Sequence, residues 1–320
     1  MLPSSIWNES SIKKASCHPL TGYHAFIFER AYIDYVWPYF NVQGLSREKA
    51  AKYFFGALQW IHMGLTSRQI PFVLGFCYST FRTHCLPLLA HLATAMHEVD
   101  WDDRLHLMNH TPNFPRYVTF VLDTAFIPVG DPEKTDRAFA ALLYQGKYGT
   151  TGLKLEVKCS LMGHIVDYKF PASVGTINDN VIHNQRVASG DLVLRDWEVG
   201  LADGAYRGCD HILTKFRRDH NRLWDPHRRS WVHIPHTPAQ VKANEMISHD
   251  RQRVEHIVKL CTAHDLFKAR NWQGEYDPLV NAVNVTVEMT QMQIFHSTRN
   301  GNQQNGNSRY ADVIGPWPHN

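Results

Sequence analysis

The sequence has no run of about 18 or more apolar residues, so no conventional membrane-spanning helix is expected. It has no CxxC pair. Its six cysteines (Cys17, Cys77, Cys85, Cys159, Cys209 and Cys261) are scattered, which argues against a zinc ribbon and a disulfide scaffold. Reduced thiols in an intracellular protein are the expected state. The opening MLPSSIWNESSIKK lacks a basic stretch followed by an apolar one, so no secretory signal is expected. There is little excess charge: 33 Lys and Arg stand against 30 Asp and Glu, net +3. A general coat for nucleic acid is not demanded by that balance. No internal repeat is apparent.

A sizeable core is within reach, because 44% of the 320 residues are hydrophobic and only 20% are charged. That length suits one large domain or two modest ones. Residues 1–45 are dense in aromatics and read as an irregular N-terminal segment. Residues 46–100 read as a helical, helix-turn-helix-like region. Gly64 is a good stop signal for its first helix, and the turn Gly75 to Cys77 separates two more. The last of these would offer Ser79, Arg82 and Thr83 on its outer face, suited to DNA contact. A bundle that only packs or dimerises has the same pattern.

From residue 117 the texture changes to short β-prone runs. These are YVTFVLD, then GLKLEVKCS with Leu153, Leu155, Val157 and Cys159 alternating on one face, then HIVDYKF. INDNVIHNQRV reads as a helix, WEVGLADGAY as a strand entering a turn, and ISHDRQRVEHIVKL as a helix. Residues 115–296 therefore read as a mixed α/β domain, and 297–320 as a disordered Gly- and Asn-rich tail.

Charge is concentrated in one place. Residues 215–229 carry Lys215, Arg217, Arg218, Arg222, Arg228 and Arg229 against Asp219 and Asp225, with Trp224 inside and Trp231 beside them. Clustered Arg with interleaved aromatics suits a phosphate backbone with partly unstacked bases. A solvated loop or a nuclear-import signal has the same composition.

Three acids stand where chemistry could use them. Asp123 ends the first apolar run, Asp203 ends a later one, and Glu255 lies beside the apolar stripe Val254, Ile257, Val258 and Cys261. Carboxylates at the ends of adjacent strands, about 4.7–4.9 Å apart, can share two Mg²⁺ ions. Such a pair binds the attacking and leaving oxygens of an in-line phosphoryl displacement. Each acid also has an ordinary use. Asp123 can cap a turn, Asp203 sits in the turn signal ADG, and Glu255 can pair with Arg251 or Lys259 along the helix.

The run from about residue 117 to 290 resembles the Harbinger (PIF)-type DDE transposase nuclease family. VLDTAFIPV stands where that family has a pattern like IDGTHI, and PASVGTINDNVI where it has PGSxHDS, with Asp179 in the matching place. LADGAY matches LGDSGY, HILTKFRR matches LLTPFR, and NEMISHDRQRVEHIVKL supplies Asn244, Arg251, Val254 and Glu255 of the last motif. The chain departs at Thr124-Ala125, where the family has Gly-Thr, and at Gly204-Ala205, where it has Ser-Gly.

The resemblance implies an α/β fold with an RNase H-like mixed sheet flanked by helices. It implies a metal-dependent DNA endonuclease or transposase. Asp123, Asp203 and Glu255 would hold two Mg²⁺ or Mn²⁺ ions. Arg251 and Asp179 would support them. DNA is the implied partner, with a Myb-like DNA-binding protein and a second copy of the chain as further candidates. No membrane partner is expected, and the expected location is nuclear. The alternative is a domesticated, catalytically inactive DNA-binding or scaffold protein.

Overall fold

The computed structural model describes residues 18–106, 117–130, 137–217, 222–268 and 276–303. Within the N-terminal part, residues 25–41 are helical rather than irregular. Helix α1 (Ala25–Ala31) runs through a π turn at Tyr32–Val36 into α2 (Trp37–Asn41). The aromatics and Pro38 look like helix breakers in sequence. Pro38 falls in the first turn of α2, directly after the π turn. The π turn adds one residue and so keeps Val36 and Phe40 on the face that buries Ile27, Phe28 and Ala31.

Helix α3 (Arg47–Met63) starts where Ser46 Oγ accepts the Lys49 amide at 3.4 Å and ends at Gly64, whose φ of 60° is left-handed. Pro71 sits in the first turn of α4 (Ile70–Leu74), not inside it, and Gly75 (φ 70°) turns the chain. A helical stretch from Tyr78 passes a π turn at Phe81–Cys85 into α5 (Leu86–Ala95). Phe81, Cys85, Leu88, Leu89 and Leu92 are buried, while Ser79, Arg82 and Thr83 face solvent. These helices and the sheet below share one apolar core.

That sheet has six strands. At its centre β1 (Val118–Pro128) pairs antiparallel with β2 (Thr150–Ser160), which pairs antiparallel with β3 (Ile165–Val174). On its other side β1 pairs parallel with β4 (Val199–Leu201), which pairs parallel with β5 (Ile212–Leu213). The short strand Tyr144–Gln145 joins the outer edge of β2. Helix α6 (Asp179–Ala188) covers one face. Helices α7 (Pro238–Thr262) and α8 (Tyr276–Gln303) cover the other. This is a mixed sheet flanked by helices, with the strand order of the RNase H-like fold.

The two faces differ. Phe120 and Leu122 point with Ala202 and Tyr206 toward α6. Val121, Val157 and Cys159 pack with Val254, Ile257 and Cys261 of α7. Gly200 lets β4 lie against β1: an added Cβ would come within 2.2 Å of the Phe120 ring. Gly200→Ala is therefore expected to lower stability by about 1–3 kcal/mol through overpacking, read as a drop in thermal midpoint.

Two sequence readings need correction. The segment read as a basic loop is largely a hairpin, β6 (Arg222–Asp225) and β7 (Ser230–His233), held by the opposed pair Trp224 and Trp231 with ring centroids 5.6 Å apart. The last helix continues to Gln303, and the remainder of the expected tail lies outside the described residues, as does Arg218. No described helix is long and apolar enough to cross a membrane.

Candidate active site

Asp123 is in mid-strand, not at the strand's end. β1 continues to Pro128 because Ala125 and Ile127 keep the apolar alternation and pair with Leu155 and Leu153 of β2. On the other side, however, pairing with β4 stops at Val121↔Leu201. Asp123 lies two residues beyond Val121, and Asp203 two residues beyond Leu201. Asp123 thus stands on β1 two residues past the last pair, and Asp203 just beyond the end of the adjacent parallel strand, where the ladder between them has ended. Asp203 also caps the 3₁₀ turn Gly204–Tyr206, accepting the Ala205 amide through Oδ1 at 2.7 Å. The turn reading of ADG thus holds, and a carboxylate retains a second oxygen for another partner.

Glu255 approaches from α7. That helix begins with a capping box: Thr237 Oγ1 accepts the Gln240 amide at 3.2 Å and Gln240 Oε1 accepts the Thr237 amide at 3.0 Å. Its stripe of Val254, Ile257 and Cys261 packs on the face of β1 to which Asp123 belongs. Glu255 Oε1 accepts a hydrogen bond from Arg251 Nη2 at 3.1 Å, so the helix ion pair is formed as well. Arg251 Nε is buried without a hydrogen-bond partner.

Electrostatics ties the three acids together. Burial pushes the Asp123 carboxyl up to about 6, and the charges of Asp203 and Glu255 push the same way. The Thr124 amide, bonded to Asp123 Oδ1 at 2.9 Å, and the Arg251 charge oppose that rise. The carboxylates are close enough to repel one another, the condition that a bound cation relieves. Among the described residues, no three His, Cys, Asp or Glu side chains stand close enough together to hold a metal as placed. The donors are hard oxygens of the kind Mg²⁺ takes. By that chemistry Asp123, Asp203 and Glu255 fit such an ion, each with a second oxygen outside the bonds named above.

Asp179 is not part of this set. It opens α6 on the opposite face and accepts a hydrogen bond from Lys154 Nζ at 2.7 Å, which fixes the start of that helix to β2. Asn244 has a role that the sequence did not disclose. Its side chain grips the Phe216 backbone in both directions, with Phe216 N to Oδ1 at 2.8 Å and Nδ2 to Phe216 O at 3.1 Å. The clamp fastens the start of the basic segment to α7. It also holds the neighbouring Arg217 near the turn after Asp203, since a Cβ on Gly204 would lie 3.6 Å from its guanidinium. Beyond the clamp, Arg222, Arg228 and Arg229 are exposed on the hairpin, and Lys215 is half-buried.

No curated protein and no solved structure gives a significant match to the chain. A family model does: that of the DDE superfamily endonucleases matches residues 122–283. The matched span is about half of the chain and begins one residue before Asp123. It takes in Asp123, Asp203 and Glu255, and runs from within β1 to the first turns of α8. On that match, the chain belongs to the DDE superfamily endonucleases.

Proposed function

We propose that the protein is a metal-dependent DNA endonuclease or transposase of the Harbinger (PIF) type, with Asp123, Asp203 and Glu255 as its carboxylate set. The observation that carries this reading is the convergence of three acids: Asp203, just past the end of the strand beside Asp123, and Glu255 both lie within electrostatic reach of Asp123. Divalent ions held there, Mg²⁺ or Mn²⁺, would offset charge developing on a scissile phosphate. The chain's own groups do the rest. Asp123 and Asp203 are fixed by backbone amides, and a carboxylate so fixed needs little reorganisation on binding. Arg251 holds Glu255 in place before ions arrive and offers a guanidinium to the DNA phosphate afterwards. The nucleophile would be water for strand cleavage and a DNA 3′-hydroxyl for strand transfer. The test is metal dependence. Nicking of supercoiled plasmid is expected on adding Mg²⁺ or Mn²⁺ and is abolished by EDTA. Nicking that persists in EDTA contradicts the reading.

DNA would be gripped by Lys215, Arg217, Arg218 and the hairpin residues Arg222, Arg228 and Arg229, with Ser79, Arg82 and Thr83 as a second contact. The exposed rings of Trp224 (47%) and Trp231 (61%) suit stacking on unpaired bases. Each phosphate contact contributes about 0.9 to the slope of log affinity against log salt on duplex DNA. Arg228→Ala/Arg229→Ala is expected to reduce that slope by about 2 in a salt titration of DNA binding. A genomic DNA substrate would go with a nuclear location, and a Myb-like partner or a second copy of the chain would serve target selection.

One feature favours the inactive scaffold reading: Glu255 is already paired with Arg251. That reading predicts salt-dependent DNA binding without cleavage in any divalent metal.

A further inference from the structure

Backbone pairing between β1 and β4 ends at Val121↔Leu201, two residues short of both aspartates. Something else must set the distance between them. The chain supplies one side-chain bond at the right place. The Thr124 hydroxyl is hydrogen-bonded to the Tyr206 hydroxyl. Thr124 follows Asp123 directly, and its amide donates to Asp123 Oδ1 at 2.9 Å. Tyr206 closes the 3₁₀ turn that Asp203 caps, and its amide donates to Asp203 O at 3.3 Å. The Tyr206 ring is fully buried among Phe120, Leu122 and Ala202, on the sheet face turned away from the acids.

We infer that Thr124 and Tyr206 form a latch behind the sheet that sets the spacing of Asp123 and Asp203, and so act as positioning residues for the carboxylate site. This rests on the metal-site reading above. The mechanics are simple. Each hydroxyl is rigidly joined to one aspartate, Thr124 through one peptide unit and Tyr206 through a single capped turn. Closing the hydroxyl pair therefore fixes one acid against the other, with the sheet as fulcrum. Burial of the Tyr206 ring holds its hydroxyl in place for the half-buried Thr124. Thr124 also stands where the Harbinger pattern has glycine, which has no hydroxyl to give. The latch is a property of this chain's own residues.

The test uses the full chain with Thr124→Val, which keeps the shape and removes the hydroxyl, Thr124→Ser, which keeps the hydroxyl, and Tyr206→Phe. Two readouts are taken without substrate: hydrogen exchange of residues 202–208 in EDTA, and Mn²⁺ affinity at pH 7.5, with Asp203→Ala as reference. Thr124→Val and Tyr206→Phe are each expected to speed exchange in that segment and to weaken Mn²⁺ about tenfold. That factor corresponds to losing one hydrogen bond of about 1.4 kcal/mol. Thr124→Ser should behave as wild type, and the double variant should be no worse than either single one. Unchanged exchange in Thr124→Val overturns the latch whatever the metal does. Faster exchange with wild-type Mn²⁺ affinity, while Asp203→Ala loses Mn²⁺, overturns its positioning role and leaves the metal site standing. Wild-type Mn²⁺ affinity in Asp203→Ala overturns the metal site, and the positioning role with it.

Discussion

Asp123→Asn is expected to cleave no DNA and yet to melt above wild type at pH 8 in EDTA. Asp123 has its carboxyl raised from 3.8 to about 6, first by burial and then by Asp203 and Glu255. The folded chain therefore holds the proton more tightly than the unfolded one. Below pH of about 4 the group is protonated in both states and the wild type carries no penalty. As pH rises through about 6 the folded state must accept a buried anion beside two others, and stability falls. At 1.36 kcal/mol per pKa unit the cost is on the order of 1–3 kcal/mol. Asparagine removes that cost and still accepts the Thr124 amide. The gain should vanish at pH 4. Added Mn²⁺ should raise the melting point of wild type and not of the variant. Cleavage should fall at least about 10³-fold, because metal-held charge stabilisation contributes several kcal/mol and each 1.36 kcal/mol is tenfold in rate. For the same reason, Mn²⁺ affinity of the wild type should climb with pH across about 6.

Arg186→Ala is expected to cost about 3–5 kcal/mol of stability, because it breaks a buried ion cluster. Arg186 belongs to α6 and faces the sheet, where its Nη1 donates to Glu156 Oε2 at 2.6 Å and to Asp167 Oδ2 at 2.8 Å, its Nη2 to Asp167 Oδ1 at 2.9 Å, and its Nε to Asp191 Oδ2 at 2.7 Å. Lys158, fully buried, bridges Glu156 and Asp167 as well. Truncating Arg186 leaves two buried carboxylates to one ammonium. Despite the burial that opposes it, the Lys158 charge and the Arg186 hydrogen bonds hold the Asp167 carboxyl well below the usual carboxylate range. That depressed group contributes stability above the unfolded carboxylate pKa of about 4 and loses it as pH falls below. The wild type should be acid-labile for this reason, and Arg186→Ala should show a flatter acid limb. Urea melts at pH 7 and pH 2 measure both effects. An Arg186→Ala chain as stable as wild type would mean the cluster is solvated.

The strand carrying Glu156 and Lys158 shows why sequence gave only half of this. GLKLEVKCS alternates, and its apolar half predicts the face against α7 correctly. The charged half, Lys154, Glu156 and Lys158, carries no local sign of what it meets. It is in fact buried under α6, because Arg186 and Asp167 arrive from other elements to pair with it. Partners separated in sequence leave no local signal. The strands around Asp123 and Asp203 and the helix with Glu255 were legible because each has its own period. The hairpin was not, since its alternation is masked by charge and its staple, Trp224 against Trp231, is a cross-strand pair. Residues 25–41 were lost to aromatic density and to a π turn that breaks the 3.6-residue period. Thr124 and Tyr206 look like filler beside two acids, and their bond crosses 82 positions of sequence.

The carboxylate site is tested most directly by cleavage of supercoiled and oligonucleotide DNA in Mg²⁺ or Mn²⁺, with wild type beside Asp203→Ala. The expected result is nicking by wild type and none by the variant, with both chains folded by circular dichroism. Equal cleavage by the two would contradict it. So would a wild type that neither cleaves nor binds Mn²⁺, and Glu255 would then be a helix-surface charge paired with Arg251.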